Sequence, residues 1–115
     1  MEIIWSAHFK SNIKYYFKKK HYTKILDDID KVVNELKKGN LVGDKIEGLT
    51  IPINTAVYKV RLPNSSVNVG KSGGFRLLYY VELANNIYLL TIYSKKDDNR
   101  IPTDTQIAEL INSLF

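Results

Sequence analysis

Hydrophobic and polar positions in the first third of the chain follow the spacing of helices. Residues 2–6 are mostly apolar and predict a short strand. Two later stretches repeat apolar residues every three or four positions, which is typical of amphipathic helices, and their short connection predicts an antiparallel pair. The first stripe consists of Phe9, Ile13, Tyr16 and Phe17. The second consists of Ile25, Ile29, Val32, Val33 and Leu36, with Thr23 as a candidate cap and Gly39 as a stop signal.

The second half of the chain changes to the two-residue alternation of strands. Loops are predicted where Gly, Pro, Asn and Ser accumulate, at residues 40–55 and 63–74. Alternating or β-branched and aromatic segments predict three consecutive strands, at residues 57–62, 75–83 and 87–95. Asn85-Asn86 lies between the last two and predicts a two-residue turn, because Asn tolerates positive φ.

The end of the chain predicts one more helix. Thr103 and Gln106 have the spacing of a capping box. An apolar stripe follows, formed by Ile107, Leu110, Ile111 and Leu114. The predicted order is β-α-α-β-β-β-α in a single domain over residues 1–115. This order favours an α+β fold in which the N-terminal strand and the helical hairpin pack on one face of an antiparallel sheet.

Composition restricts the possible chemistry. The 115 residues include no Cys and only two His, so we expect neither a metal centre nor a cofactor. No apolar run reaches the ~18 residues of a membrane span, and no basic leader is visible. We therefore expect a cytoplasmic protein without a membrane partner. The net charge of +5 favours polyanions, of which nucleic acid is the commonest, because binding releases counterions.

The predicted hairpin brings basic residues onto one face of the sheet. With a two-residue turn at Asn85-Asn86, Arg76 lies directly opposite Lys95. Like charges in that position are destabilising unless an anion lies between them. By alternation, the face that the helices are expected to cover carries Phe75, Leu77, Tyr79, Val81, Leu83, Tyr88, Leu90, Ile92 and Ser94. The other face, expected to be open, carries Arg76, Leu78, Tyr80, Glu82, Leu89, Thr91, Tyr93 and Lys95, with Lys59 and Arg61 from the preceding strand.

Such a group of cations suits a phosphodiester substrate. Cations stabilise the charge that grows on phosphorane oxygens, and a lysine crowded by other cations is able to act as a general base toward a ribose 2′-hydroxyl. Tyr80 and Tyr93 on the same face are candidates for stacking on bases. The simpler alternative is that these are solvated charges at strand ends. A sequence resembling a phosphate-binding loop, residues 65–72, has Ser65 where Gly is required and leads into a strand, so nucleotide hydrolysis is not expected.

Three motifs together resemble the RelE/ParE superfamily of toxins, and most closely its HigB-like branch. They are Val57-Tyr-Lys-Val-Arg-Leu62, Gly70-Lys-Ser-Gly-Gly-Phe-Arg-Leu-Leu-Tyr-Tyr80 and Ile87-Tyr-Leu-Leu-Thr-Ile-Tyr-Ser-Lys-Lys-Asp97. The resemblance covers essentially the whole chain. It implies a RelE-like fold and the toxin of a type II toxin–antitoxin system. It further implies a metal-independent, ribosome-dependent mRNA endoribonuclease that inhibits translation and is neutralised by a small antitoxin.

The resemblance also assigns residues to the site. Lys59 and Arg61 match the basic pair on the second strand, Arg76 matches the arginine that opens the third, and Lys95 or Lys96 matches the basic residue that ends the fourth. The family's tyrosine near the last helix has no counterpart, since the segment from Arg100 contains none, and Tyr93 is the substitute. The predicted catalytic residues are therefore Arg76, Lys95, Tyr93 and Lys96, and the predicted substrate-binding residues are Lys59, Arg61, Lys71 and Tyr80.

Two other functions remain open from the sequence. One is a ParE-like toxin that poisons DNA gyrase and is not a nuclease. The other is a plain RNA-binding module whose cations only contact phosphate. The full set of cations favours the nuclease over both, although phosphate contacts alone would also serve the binding module.

Overall fold

The fold consists of three α-helices and a five-stranded sheet, so the predicted α+β class is confirmed. A computed structural model describes residues 2–82 and 86–115. Short 3₁₀ turns occur at Ser65–Val67 and Asp98–Arg100. The elements in chain order are β1 (Glu2–Trp5), α1 (Ala7–Lys18), α2 (Ile25–Lys37), β2 (Asp44–Lys45), β3 (Ala56–Leu62), β4 (Phe75–Val81), β5 (Asn86–Ser94) and α3 (Asp104–Asn112).

The sheet has the strand order β1-β5-β4-β3-β2 and is mixed. β2 through β5 pair in antiparallel fashion, whereas β1 pairs with β5 in parallel. The expectation of a wholly antiparallel sheet is therefore wrong at one edge. A parallel pairing needs a long connection, and the chain between β1 and β5 provides it with the helical hairpin and strands β2 to β4.

The two-residue strand β2 was not predicted, because it lies in the Gly- and Pro-rich segment 40–55. It depends on Gly43, which has φ of +93°. A Cβ atom there would lie 2.5 Å from the carbonyl oxygen of Lys59, so only glycine lets this segment approach β3 so closely.

One hydrophobic core lies between the helical hairpin and the sheet, as the apolar stripes predict, except that Phe17 of the first stripe is 43% exposed. Phe9 and Tyr16 of α1 and the predicted face of α2 are buried against it. The predicted cap at Thr23 is wrong, since Lys24 precedes the first residue of α2 and no side chain caps the helix. The stop at Gly39 is confirmed by its φ of +88°. The sheet contributes Val60, Leu62, Phe75, Leu77, Tyr79, Ile87, Leu89 and Ile92.

A second core covers the opposite face of the sheet, so the expectation of an open face is wrong. The apolar stripe of α3 must itself be buried, and this face of the sheet is where it packs. The predicted capping box is confirmed: the Thr103 hydroxyl accepts from the Gln106 N–H at 3.2 Å, and the Gln106 side chain accepts from the Thr103 N–H at 2.9 Å. The buried members of this core are Val57, Leu78, Tyr80, Tyr88, Leu90, Tyr93, Ile107 and Ile111.

The register of the β4–β5 hairpin differs from the prediction. Arg76 lies opposite Tyr93, and not opposite Lys95. The predicted turn is wrong because Asn86 already belongs to β5; Asn85, like Leu83 and Ala84, lies outside the described residues. A register shift between Leu78 and Tyr79 leaves one extra residue on β5. It exchanges the predicted faces of Tyr88, Leu89 and Leu90, and strict alternation along the sequence does not indicate such a shift.

Helix α1 continues the edge of the sheet where β1 ends. Two of its side chains accept hydrogen bonds from the outer N–H groups of β5: Asn12 Oδ1 from Ile92 at 3.1 Å, and the Tyr16 hydroxyl from Ser94 at 2.8 Å. The Tyr16 hydroxyl in turn donates to Asp97 at 2.8 Å. The backbone of β5 is buried here, and these side chains supply the acceptors that a neighbouring strand would otherwise provide.

We predict that Tyr16→Phe destabilises the fold by about 1–3 kcal/mol, because the buried Ser94 N–H loses its acceptor. Urea unfolding followed by circular dichroism measures this change. Tyr15→Phe is the matched control, because the neighbouring tyrosine keeps its ring contacts and its hydroxyl makes no hydrogen bond to any described residue. Equal stability of the two variants would show that the β5 edge does not depend on this contact.

Candidate functional site

Three cations meet on the face of the sheet that α3 leaves partly uncovered. Arg61 of β3 lies directly opposite Arg76 of β4, and Lys59 lies two residues before Arg61 on the same face. We call these residues the cationic cluster. They line a cavity of about 290 Å³ together with Asp44, Lys45 and Ile46. The predicted pair of Arg76 with Lys95 is therefore wrong, and the structure contains a different like-charge pair, Arg61 with Arg76.

The cluster carries an excess of positive charge. Asp44, which pairs with Lys59 across β2 and β3, is the one carboxylate among the residues that line the cavity. Within residues 2–82 and 86–115, no carboxylate forms an ion pair with Lys59, Arg61 or Arg76. Direct opposition of two arginines is destabilising, so the cluster is suited to accept an anion.

The Arg76 guanidinium is held in a fixed orientation. It is 7% exposed and donates to three carbonyl groups: Nη1 to Lys71 at 3.0 Å and to Phe75 at 3.1 Å, and Nη2 to Ser72 at 3.0 Å. Burial lowers the pKa of Arg76, as does the positive charge of Arg61, and Tyr93 opposes the shift. Two of the five N–H donors of a guanidinium remain for a ligand.

The loop that Arg76 holds depends on Gly74. A Cβ atom at this position would overlap the carbonyl oxygen of Leu62 and would lie 2.8 Å from the N–H of Asn64. The Gly74 carbonyl accepts from the Lys95 N–H at 2.9 Å, so the loop is fixed between the ends of β3 and β5. The structure shows that at Gly74 the requirement is close approach.

The predicted lysines lie around the cluster rather than in its cavity. Lys95 is exposed and is displaced diagonally from Arg76, because Gly74 occupies the pairing position opposite it. Lys96 is exposed in the following turn, where its N–H donates to the Ser94 hydroxyl at 3.4 Å. Lys71 is exposed in the loop and, with Arg61, borders a groove beside α2. The roles of these three lysines stay predictions.

The two candidate tyrosines are both buried, and they differ in their position relative to Arg76. Tyr80 is 2% exposed within the second core, so the prediction that it stacks on bases is wrong. Tyr93 is 5% exposed and lies directly opposite Arg76. Burial raises the pKa of Tyr93, against the opposing charge of Arg76. The hydroxyl is therefore protonated at neutral pH and is suited to donate a proton rather than to remove one.

Sequence reasoning missed two residues on a neighbouring cavity. His8 and Arg100 line a space of about 550 Å³ between α1, the end of β5 and α3, and Tyr93 forms part of its wall. Arg100 lies with its guanidinium carbon 3.5 Å above the ring of Tyr15. Tyr15 and Arg100 are 85 positions apart in the chain, and no local motif links them.

Neither a metal centre nor a membrane-spanning segment is apparent in the described ranges. Groups of three or more His, Asp or Glu side chains placed to hold a metal ion do not occur within residues 2–82 and 86–115. In the same ranges, none of the helices has the length and apolar character needed to cross a membrane.

Comparison with known proteins leaves the family assignment a prediction. No protein-family model matches the chain, and no curated protein is significantly similar to it. The cationic cluster and its surroundings are therefore the features of the molecule that indicate a function.

We predict opposite effects on stability for the two opposed arginines. Arg76→Ala should lower the free energy of unfolding by about 1–3 kcal/mol, because the carbonyl groups of Lys71, Ser72 and Phe75 lose their donor. Arg61→Ala should be neutral, or stabilising by up to about 0.5 kcal/mol, because it removes repulsion without breaking a described hydrogen bond. Thermal and urea unfolding of both variants measure the difference. Equal losses would mean that Arg61 also supports the fold.

Proposed function

We propose that the chain is a RelE/ParE-superfamily toxin of the HigB-like branch, a metal-independent endoribonuclease that cleaves mRNA on the ribosome. The observation that carries this proposal is the direct opposition of Arg61 and Arg76 in a cavity where four basic residues meet one carboxylate. The three sequence motifs support the family assignment, because they contribute the same cations that the fold brings together.

A phosphodiester is the anion that suits this cluster best. Arg76 is fixed by the loop carbonyls and keeps two donors, whereas Arg61 is exposed and free to move toward a ligand. A phosphate between the two guanidinium groups would relieve their repulsion. The same two groups would then face the oxygens on which negative charge grows during the reaction.

The proposed reaction is an in-line transfer that needs no metal. A base takes the proton of the ribose 2′-hydroxyl, the freed oxygen bonds to the neighbouring phosphorus, and the bond from phosphorus to the 5′-oxygen breaks. The products are a 2′,3′-cyclic phosphate and a 5′-hydroxyl end. Arg61, Arg76 and Lys59 stabilise the phosphorane oxygens, and Tyr93 donates a proton to the leaving oxygen.

We assign the base to Lys95. Tyr93 is unsuited to this role because burial raises its pKa. Lys95 is the first residue after β5 and is exposed, and its N–H donates to the carbonyl of Gly74, two residues before Arg76. Lys96, the next residue of the same turn, is also exposed and is the natural control.

The ribosome and an antitoxin are the proposed partners. The cluster offers cations for one phosphate and few groups for the rest of an mRNA, so the ribosome would hold the substrate in line for attack. A small antitoxin would neutralise the toxin, as the resemblance implies, and a cytoplasmic location follows from this function.

A plain RNA-binding module is the second candidate. It is favoured by one observation: the described part of the cavity contains no histidine, and Asp44 is its one carboxylate, so the usual general bases are scarce. Such a module would use the same cations for phosphate contacts and would leave the RNA intact.

We predict that Arg61→Ala lowers the rate of mRNA cleavage on programmed ribosomes by about 10²–10³, because one cation is lost from the transition state. Lys95→Ala should lower the cleavage rate at least as much, whereas Lys96→Ala should lower it less. Primer extension on the ribosome-bound mRNA measures the cuts. Lys14→Ala, an exposed cation on α1, controls for the loss of one positive charge and should stay within about twofold.

Three results would contradict the proposal in different ways. RNA that is bound but never cut would favour the binding module. Arrest of DNA synthesis before translation, with mRNA intact, would favour a gyrase poison. Loss of activity in Lys96→Ala but not in Lys95→Ala would remove the assigned base while leaving the nuclease in place.

A further inference from the structure

A second cavity lies beside the cationic cluster, between α1, the end of β5 and α3. Its volume is about 550 Å³, which is in the range of sites for small ligands. The proposed function makes no use of this space apart from its wall at Tyr93. The polar residues that matter for its chemistry are His8, Asn12, Arg100, Gln106 and Glu109.

Arg100 is held over an aromatic surface on one side of this cavity. Its guanidinium carbon is 3.5 Å from the ring centroid of Tyr15 and 5.6 Å from that of Tyr16. Stacking of this kind stabilises the cation and fixes the plane of the guanidinium. Its side chain forms no hydrogen bond or ion pair with any residue that the structure describes. Its donors therefore remain for a ligand.

The other polar side chains of the cavity also have free groups. Asn12 Oδ1 accepts from Ile92 and Thr91, so its amide nitrogen keeps both N–H groups. Gln106 Oε1 accepts a hydrogen bond in the capping box, so the amide nitrogen of Gln106 also keeps both of its N–H groups. Glu109 is the one carboxylate among the lining residues. The cavity thus combines several donors with a single strong acceptor.

We propose that this cavity binds a guanine base. Guanine presents O6 and N7 as two adjacent acceptors, which a guanidinium contacts in bidentate fashion. On its other edge, guanine presents N–H donors that a carboxylate such as Glu109 accepts. Adenine, cytosine and uracil do not offer this combination of groups. Burial, together with the charge of Arg100, lowers the pKa of His8, so its imidazole is neutral at pH 7 and adds no charge beside the base.

The position of the cavity connects it with the cationic cluster. Tyr93 lines the cavity and lies opposite Arg76, and Arg76 lies opposite Arg61. Neighbouring strands are about 5 Å apart, so the row from Tyr93 to Arg61 spans roughly 10 Å. A guanine in the cavity would therefore flank the phosphate that the cluster holds. This consequence rests on the proposed function and makes the cavity the part of the site that selects sequence.

Binding of the four ribonucleoside 5′-monophosphates to the purified full chain tests the inference. All four carry the same ribose and phosphate, so differences in affinity report on the base. We expect GMP to bind at least about tenfold more tightly than AMP, CMP or UMP in isothermal titration calorimetry. Glu109→Gln should reduce this preference to about threefold or less while leaving the affinity for AMP unchanged. Glu47→Gln, which removes an exposed carboxylate far along the chain in the loop before β3, should leave the preference intact.

Arg100→Lys provides an independent test, because it keeps the charge but loses the bidentate geometry. This substitution should lower the affinity for GMP more than the affinity for AMP. Equal affinities for the four nucleotides, or a preference for GMP that survives both substitutions, would overturn the inference. A preference for GMP in a chain that never cuts mRNA would support the guanine site and contradict the nuclease activity. Cleavage of mRNA with no dependence on the bases beside the cut would support the nuclease activity and contradict the guanine site.

Discussion

The hydrogen bonds from the edge of β5 to α1 are the constraint on which the rest of the structure depends. β1 covers only part of that edge, and Asn12 and Tyr16 supply the acceptors beyond it. Because side chains of α1 replace a neighbouring strand at this point, the end of β5 is held in the sheet with no strand on its outer side. Tyr93 lies between the two capped N–H groups. Its position opposite Arg76, and with it the geometry of both cavities, therefore depends on contacts made on the other side of the strand.

Arg76 combines support for the fold with a place in the candidate site. Its guanidinium orders the glycine-rich loop through two of its carbonyl groups, also donates to the carbonyl of Phe75 in β4, and faces Arg61 across the sheet. An isolated buried cation would be costly, and the carbonyl dipoles offset that cost without neutralising the charge. A carboxylate partner would have stabilised the arginine equally well but would have removed the affinity for anions. The arrangement keeps a fixed cation available, which a flexible surface lysine does not achieve.

Local patterns were enough to predict the helices, four of the five strands and the capping box of α3, because each depends on residues close together in the chain. They also brought Lys59, Arg61 and Arg76 to one face. The register of β5 could not be predicted, because the extra residue opposite Leu78 and Tyr79 is a response to packing on both faces. The burial of Tyr80 depends on α3, and the contact of Arg100 with Tyr15 joins the two ends of the chain. No local sequence pattern predicts the burial of Tyr80 or the contact of Arg100 with Tyr15.

The parallel pairing of β1 with β5 has a consequence for the order in which the protein is made. The Ser6 hydroxyl donates to the Leu90 carbonyl, 84 residues later in the chain. The earlier strand must therefore wait for a partner that is synthesised 84 residues later, and contacts of such long separation also slow folding. The loop that Arg76 holds is anchored to β5 through the Lys95 N–H, so the cation pair between β3 and β4 is fixed only when β5 is in place. The strands that carry the cations are thus synthesised before the strand that fixes their geometry.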